Sequence, residues 1–331
     1  MTHGLHHSNM QVYGGIKLYA GSGSPDLAAK VSQYLGEPLC DHDVVEFPNE
    51  NIFIKLRQSV RGQDVYLIQT TTSPVHRNLM ELLVTIQTLR LDSAARITAV
   101  VPYLAYGRSD KKDQPRVPIT ARLVADMIEV AGADRYVTFD PHAGQIQGFF
   151  SIPGDVITTF HLITDYIMQE LRPRMFDPVV VSVDLGFAKK SRNIAAELDV
   201  PIAFIEKRRS GNDANAEALS IIGDVEGHDV ILVDDEIDTG GSIIQAVNLV
   251  KSSGARDVYV VCVHAVLSRG AAGQLAALPV KQFIVTDTVP LPEEKLLQFG
   301  ERLKILTIAP LLGEVILRAH EGRSVGEMFN E

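Results

Sequence analysis

The chain has 331 residues, 46% of them hydrophobic and 22% charged, and a formal net charge of −10. That balance is typical of a globular protein with room for two cores. It argues against nucleic acid as a partner, because a groove that follows phosphates is basic. No run approaches the roughly 18 uninterrupted apolar residues of a membrane span, and Met1–Met10 lacks a signal peptide's apolar centre. A cytoplasmic protein with no membrane partner is therefore expected.

In chain order, residues 1–12 read as a disordered arm or tag remnant, despite His3, His6 and His7. Ile16–Ala20, Val65–Gln69, Ile97–Pro102, Tyr136–Phe139, Val179–Val183, Ile202–Ile205, Val230–Val233 and Val258–Val263 are short β-branched runs. They predict buried parallel strands. Amphipathic helices are predicted between them at Pro25–Leu35, Ile119–Ala131 and Ser242–Ser252. This alternation is that of an α/β protein with helices covering a mostly parallel sheet. The two cysteines, Cys40 and Cys262, lie in or beside apolar stretches and read as buried free thiols.

The sequence also repeats itself. Gly132–Ala143 aligns without gaps on Gly254–Ala265, and each copy ends in a His-Ala pair. Asp64-Val-Tyr-Leu-Ile likewise resembles Asp177-Pro-Val-Val-Val. Two matches in the same order predict a duplicated α/β domain. The division is expected near Pro153–Phe160, giving an N-terminal domain over 13–157, a C-terminal domain over 158–314, and a tail over 315–331 packed on the first.

The sharpest motif is Val230-Ile-Leu-Val-Asp-Asp-Glu-Ile-Asp-Thr-Gly-Gly-Ser242. A buried strand ends at Asp234 and Asp235, and Asp238, Thr239, Gly240, Gly241 and Ser242 turn into a helix. Ligands of open α/β sheets bind beyond the carboxyl ends of the strands. A Gly-Gly pair admits a phosphate close to backbone N–H groups, and the helix adds its positive end. Two acids beside such a turn suit the O2 and O3 hydroxyls of a sugar phosphate such as ribose 5-phosphate. No Gly-Lys-Ser/Thr follows, so this is not a Walker loop.

With these residues in view, the chain from about Ile16 to Phe329 resembles the ribose-phosphate diphosphokinases. The marks are Ser59-Val-Arg-Gly62, Met80-Glu-Leu-Leu83, Val101-Pro-Tyr-Leu-Ala-Tyr-Gly-Arg108, Pro118-Ile-Thr-Ala-Arg122, His142-Ala-Gly-Gln-Ile-Gln-Gly-Phe-Phe150, Glu206-Lys-Arg-Arg209 and Leu291-Pro-Glu-Glu-Lys295. The resemblance implies two phosphoribosyltransferase-like domains and transfer of the diphosphoryl group of ATP to ribose 5-phosphate, a step of nucleotide biosynthesis. It implies Mg²⁺ near His142 and Asp184, ATP contacts from Phe47, Asn49, Asn51, Arg108 and Ser109, and catalytic charge from Lys207 and Arg209. It further implies a homohexamer built from dimers, with Phe47 reaching a neighbouring subunit's ATP.

The chain departs from the family pattern at several points. Asn49 and Asn51 replace two acids of the adenine loop, and Ser109 stands where glutamine is common. The metal loop reads Val183-Asp-Leu-Gly-Phe187 and lacks a second glycine, and Gly326 and Glu327 alter the tail segment Ser324–Phe329. Two other readings follow: a weakly active regulatory paralogue, and a phosphoribosyltransferase that consumes the same product. His264, the repeat partner of His142, reads as structural.

Overall fold

The alternation of apolar runs and helices is realised along the chain. The computed structural model describes residues 13–184, 186–209 and 217–329, without the side chains of 207–209, 217 and 218. The elements begin β1 (Ile16–Ala20), α1 (Pro25–Leu35), β2 (His42–Glu46), β3 (Ile52–Leu56), β4 (Asp64–Ile68), α2 (Val75–Leu91), β5 (Arg96–Val101), α3 (Thr120–Ala131), β6 (Arg135–Phe139) and β7 (Gly154–Ile157). They continue α4 (Phe160–Tyr166), β8 (Val179–Ser182), α5 (Ala188–Glu197), β9 (Ile202–Arg209), β10 (Glu217–Ile222), β11 (Val230–Ile237), α6 (Gly241–Ser252) and β12 (Val258–Ala265). The last are α7 (Ala271–Ala276), β13 (Gln282–Thr286), α8 (Glu293–Phe299), β14 (Leu303–Leu306) and α9 (Ala309–Glu321).

Two units form. The first holds the described residues up to Thr138, then Gln145–Asp155 and the chain from Ala309 onward. Its sheet has the order β1-β4-β5-β6-β7, with β1, β4, β5 and β6 parallel. Every residue of β4 is buried, which explains its unbroken apolar run. β2 and β3 form a separate antiparallel hairpin.

A buried charge network ties α9 into this unit. Asp64 is fully buried and takes a fork from Arg96, Nε to Oδ1 at 2.7 Å and Nη2 to Oδ2 at 2.5 Å. His320 Nδ1 lies 2.8 Å from the same carboxylate, and Arg96 also donates to the Ala319 carbonyl at 3.0 Å. α9 is one unbroken helix, and the whole of it lies in the first unit.

The second unit comprises Phe139–Gly144 and Val156–Ile308. Its sheet has the order β10-β9-β8-β11-β12-β13-β14, parallel except for the β10–β9 edge pair. Alternate residues feed two cores. Val179, Val181, Val230, Leu232, Val258 and Val260 pack in one, while Val180, Ile231, Val233, Tyr259 and Val261 pack in the other. Burial on both faces removes the period-two pattern that a half-exposed strand would show.

Two predicted strands run further than their apolar residues. β11 continues through Asp234–Ile237, because β12 extends beside it and pairs Asp234 with Cys262 and Glu236 with His264. β9 continues to Arg209 because β10 folds back on it, pairing Leu219 with Lys207 and Glu217 with Arg209. The backbone of Lys207 and Arg209 is thus strand rather than the start of a loop. Both cysteines are buried free thiols. No helix among the described residues is long and apolar enough to cross a membrane.

Candidate active site

The end of β11 concentrates negative charge in a buried place. Asp234, Asp235 and Glu236 are consecutive and all buried. Burial pushes the Asp234 carboxyl up to about 8, helped by the charges of Asp235 and Asp184. Burial alone would raise Asp235 as well. It is instead held below the usual carboxylate range by the hydrogen bond that His142 donates and by the electrostatic pull of that ring. The His142 Nδ1–Asp235 Oδ2 distance is 2.7 Å. An ionised carboxylate only accepts, so Nδ1 carries the proton. Asp235 is also tied to its neighbour, its amide donating to Asp234 Oδ1 at 3.0 Å.

His142 is delivered by the turn that follows β6. Asp140 has φ +34, and Pro141 ends the strand by removing an N–H. Asp140 is buried and heavily bonded. Its carboxylate accepts from the Thr159 amide at 2.7 Å, Thr159 Oγ1 at 2.8 Å and Thr158 Oγ1 at 3.1 Å, with Lys190 Nζ at 3.3 Å. Its own amide donates to the Ile157 carbonyl at 2.9 Å. Sequence reasoning did not single out Asp140, Thr159 or Lys190. The only local signal was the Asp-Pro step before His142.

Beyond β11 the chain makes the expected turn. Gly240 sits at φ +80, a conformation that favours glycine, and as the N-cap residue of α6, which begins at Gly241, it makes no side-chain cap bond. Among the described residues, a Cβ at Gly241 would meet only Thr239 Oγ1 within 4 Å, at 4.0 Å. Thr239, Gly241 and Ser242 are exposed. Asp238 is fastened from outside the turn: Ser268 Oγ donates to Oδ1 at 2.5 Å and the Ser268 amide donates to its carbonyl at 2.9 Å.

Asp184 follows β8, and its Oδ1 accepts the Phe187 amide at 2.9 Å near the start of α5. Its charge is one of those that raise Asp234. His142, Asp184, Asp234 and Asp235 are therefore gathered in the second unit. Among the described residues, no group of three or more His, Cys, Asp and Glu is arranged to hold a metal by itself. The carboxylates nonetheless suit a hard divalent cation, which can take one or two protein carboxylates and complete its shell with water and phosphate. The mutual repulsion at Asp234 is what a cation would relieve, and an imidazole fixed by a carboxylate is a common way to orient a ligand.

The residues expected at ATP lie in the first unit. Phe47 heads the β2–β3 loop, where its amide donates to the Asn51 carbonyl at 2.9 Å and the Asn51 amide donates to Asn49 Oδ1 at 3.3 Å. The Phe47 ring is 47% exposed and lies 6.3 Å from that of Phe53. Arg108 is exposed and Ser109 half-buried, and the Ser109 amide donates to the Tyr106 carbonyl at 2.8 Å. Asp110 is buried and accepts from Gln145 Nε2. The side chains of Lys207 and Arg209 lie outside the described residues, as do His3, His6 and His7.

Comparison with known proteins identifies the family and the fold. Residues 16–132 match the N-terminal domain of ribose phosphate pyrophosphokinase, and residues 188–330 match the phosphoribosyl synthetase-associated domain. The ribose-phosphate pyrophosphokinase of Caldanaerobacter subterraneus subsp. tengcongensis is 45% identical over 315 residues, covering 95% of this chain and 98% of that one. The chain belongs to the ribose-phosphate pyrophosphokinase family. The pyrophosphokinase of Campylobacter jejuni is 42% identical, covering 95% of this chain and 99% of its own. The phosphoribosylpyrophosphate synthetase structure from Mycobacterium smegmatis superposes with a TM-score of 0.87 at 41% identity, over 93% of this chain and all of that one. Pyrophosphokinase relatives thus match both units, not the Asp238–Ser242 turn alone.

Proposed function

We propose that the chain makes 5-phospho-α-D-ribose 1-diphosphate, moving the diphosphoryl group of ATP to the anomeric hydroxyl of ribose 5-phosphate and releasing AMP. The carrying observation is the His142–Asp235 bond at the end of β11, on the strand that leads directly into the open Asp238–Ser242 turn. In this reading the turn holds the 5-phosphate on the first amides of α6, with Thr239 and Ser242 as hydroxyl donors. Asp234 and Asp235 accept from the ribose hydroxyls. His142 keeps Asp235 ionised and therefore able to accept.

His142 and Asp184 are the residues proposed to hold Mg²⁺, which when bound would neutralise charge on the ATP phosphates. Phe47, Asn49, Asn51, Arg108 and Ser109 are proposed for ATP. The Asn49 and Asn51 amides can accept from an adenine amino group but bring no charge. Lys207 and Arg209 are proposed to stabilise the transferring diphosphate. Lys207→Ala should lower kcat about 10²–10³-fold with Km changed only a few-fold, as for loss of one preorganised charge. A loss of substrate affinity alone would make the pair binding residues instead.

The enzyme is proposed to work in the cytoplasm as a homohexamer. Support comes from the exposed apolar side chains Val45, Phe47 and Phe53 on the hairpin, and Leu123 and Val130 on α3. A fully active monomer in light scattering would end that proposal. The activity itself is tested by AMP release from ATP that depends on ribose 5-phosphate, with no nucleobase present. Robust turnover is expected. Turnover only when a nucleobase and phosphoribosyl diphosphate are supplied would favour a phosphoribosyltransferase, and none at all would favour a regulatory paralogue.

A further inference from the structure

His264 has the surroundings of a working part rather than of core filler. It closes β12, is only 3% exposed, and stands in register with Glu236 on β11. Its Nε2 lies 3.1 Å from the Phe139 carbonyl and 3.2 Å from the Asp140 carbonyl. Carbonyl oxygens only accept, so Nε2 must carry the proton and share it between the two. Nδ1 then faces Thr288 Oγ1 at 2.9 Å, a hydroxyl that also reaches the Val263 carbonyl at 3.2 Å. Burial lowers the ring's affinity for a second proton, which keeps this tautomer neutral.

The two carbonyls flank Asp140, whose φ is +34, and His142 comes two residues later. Pro141 has no N–H, so the turn cannot fasten itself there by an amide. It is held by the Asp140 carboxylate on one side and by His264 on the other. We propose that His264 is a positioning residue of the catalytic centre, fixing the Phe139–Pro141 turn so that His142 reaches Asp235. The proposal rests on the reading of His142 given above. It makes the two histidines of the sequence repeat a connected pair, one holding the backbone from which the other works.

The test pairs two readouts on wild type, His264→Leu and His264→Gln, each checked for folding by circular dichroism. The first is the imidazole ¹⁵N–¹H spectrum of the metal-free, substrate-free protein, in which wild-type His142 should show a protected Nδ1–H. The second is steady-state kinetics. His264→Leu should lose the protected proton and about 10–100-fold in kcat, the usual scale for a residue supporting a ligand. The Km for ribose 5-phosphate should rise as well, because Asp235 loses the partner that keeps it ionised. His264→Gln, whose amide can still donate to the carbonyls, should recover both readouts. If His264→Leu does not fold, His264→Asn serves, since its shorter amide is placed for Thr288 and leaves the carbonyls without a donor. A lower melting temperature with the His142 proton and kcat both intact would overturn the proposal. Loss of the proton without loss of kcat would support positioning, and would instead remove His142 from the reaction.

Discussion

The two copies of the repeated motif have diverged in a way their sequences barely hint at. Each begins with a left-handed glycine after a helix, Gly132 at φ +113 and Gly254 at φ +89, and each leads into a strand parallel to its neighbour. In the second copy β12 continues through His264, whose ring is buried in a hydrogen-bonded niche. In the first copy Pro141 stops the strand, and His142 emerges with 37% of its side chain exposed to bond Asp235. A single backbone change, from ladder to turn, separates a histidine buried in a hydrogen-bonded niche from a half-exposed one bonded to Asp235.

The largest effect should come from the emergent copy. His142→Ala is expected to reduce kcat/Km about 10²–10³-fold with little change in melting temperature, measured by AMP release and thermal denaturation. A half-exposed ring carries little packing, so a large loss of stability would erase the distinction between the copies.

A smaller and more selective effect is expected at the Asp238–Ser242 turn, proposed above to hold the 5-phosphate. Gly241→Val should fold, since among the described residues its Cβ would meet only Thr239 Oγ1 within 4 Å, at 4.0 Å. It should raise the Km for ribose 5-phosphate about tenfold or more, equivalent to roughly 1.4 kcal/mol of lost binding, and leave that for ATP nearly unchanged. Equal effects on both substrates would place the turn elsewhere in the reaction.

The smallest effect concerns stability against pH. Asp234 keeps its proton to about pH 8 in the folded chain, whereas an unfolded aspartate releases it near pH 4. Between those values the folded state holds the extra proton, so stability from this group falls as pH rises. The melting temperature of the metal-free protein should therefore drop between pH 6 and pH 8. Asp234→Asn should flatten the slope, by about 2–4 °C for each kcal/mol of repulsion removed. A slope unchanged by Asp234→Asn would mean that the carboxyl is ionised throughout.

The parts of this molecule legible in the sequence are those set by burial. β1, β4, β5, β6, β8, β9, β11 and β12 each announce themselves by apolar runs, and α1, α3 and α6 by their periodicity. The edge strands β7, β10 and β14 and the β2–β3 hairpin were not predicted, because exposed residues such as Lys55 and Lys304 dilute the pattern. β13 was missed as well, its apolar run being only Phe283–Val285. The turn at Asp238–Ser242 was legible because all its chemistry is local. The bonds from Asp140 to Lys190 and from His142 to Asp235 were not, since they join residues 50 and 93 positions apart. Nor could the sequence show that Lys207 and Arg209 continue a strand, because only the return of β10 makes them do so.

The most direct measurement is a double-mutant cycle on His142 and Asp235, read in kcat/Km for the ribose 5-phosphate-dependent release of AMP. If His142 acts through its 2.7 Å bond to Asp235, then His142→Ala and Asp235→Asn together should cost scarcely more than the worse single change, leaving a coupling of about 1–3 kcal/mol. Losses that simply add would mean that the two groups work independently, and would contradict the account.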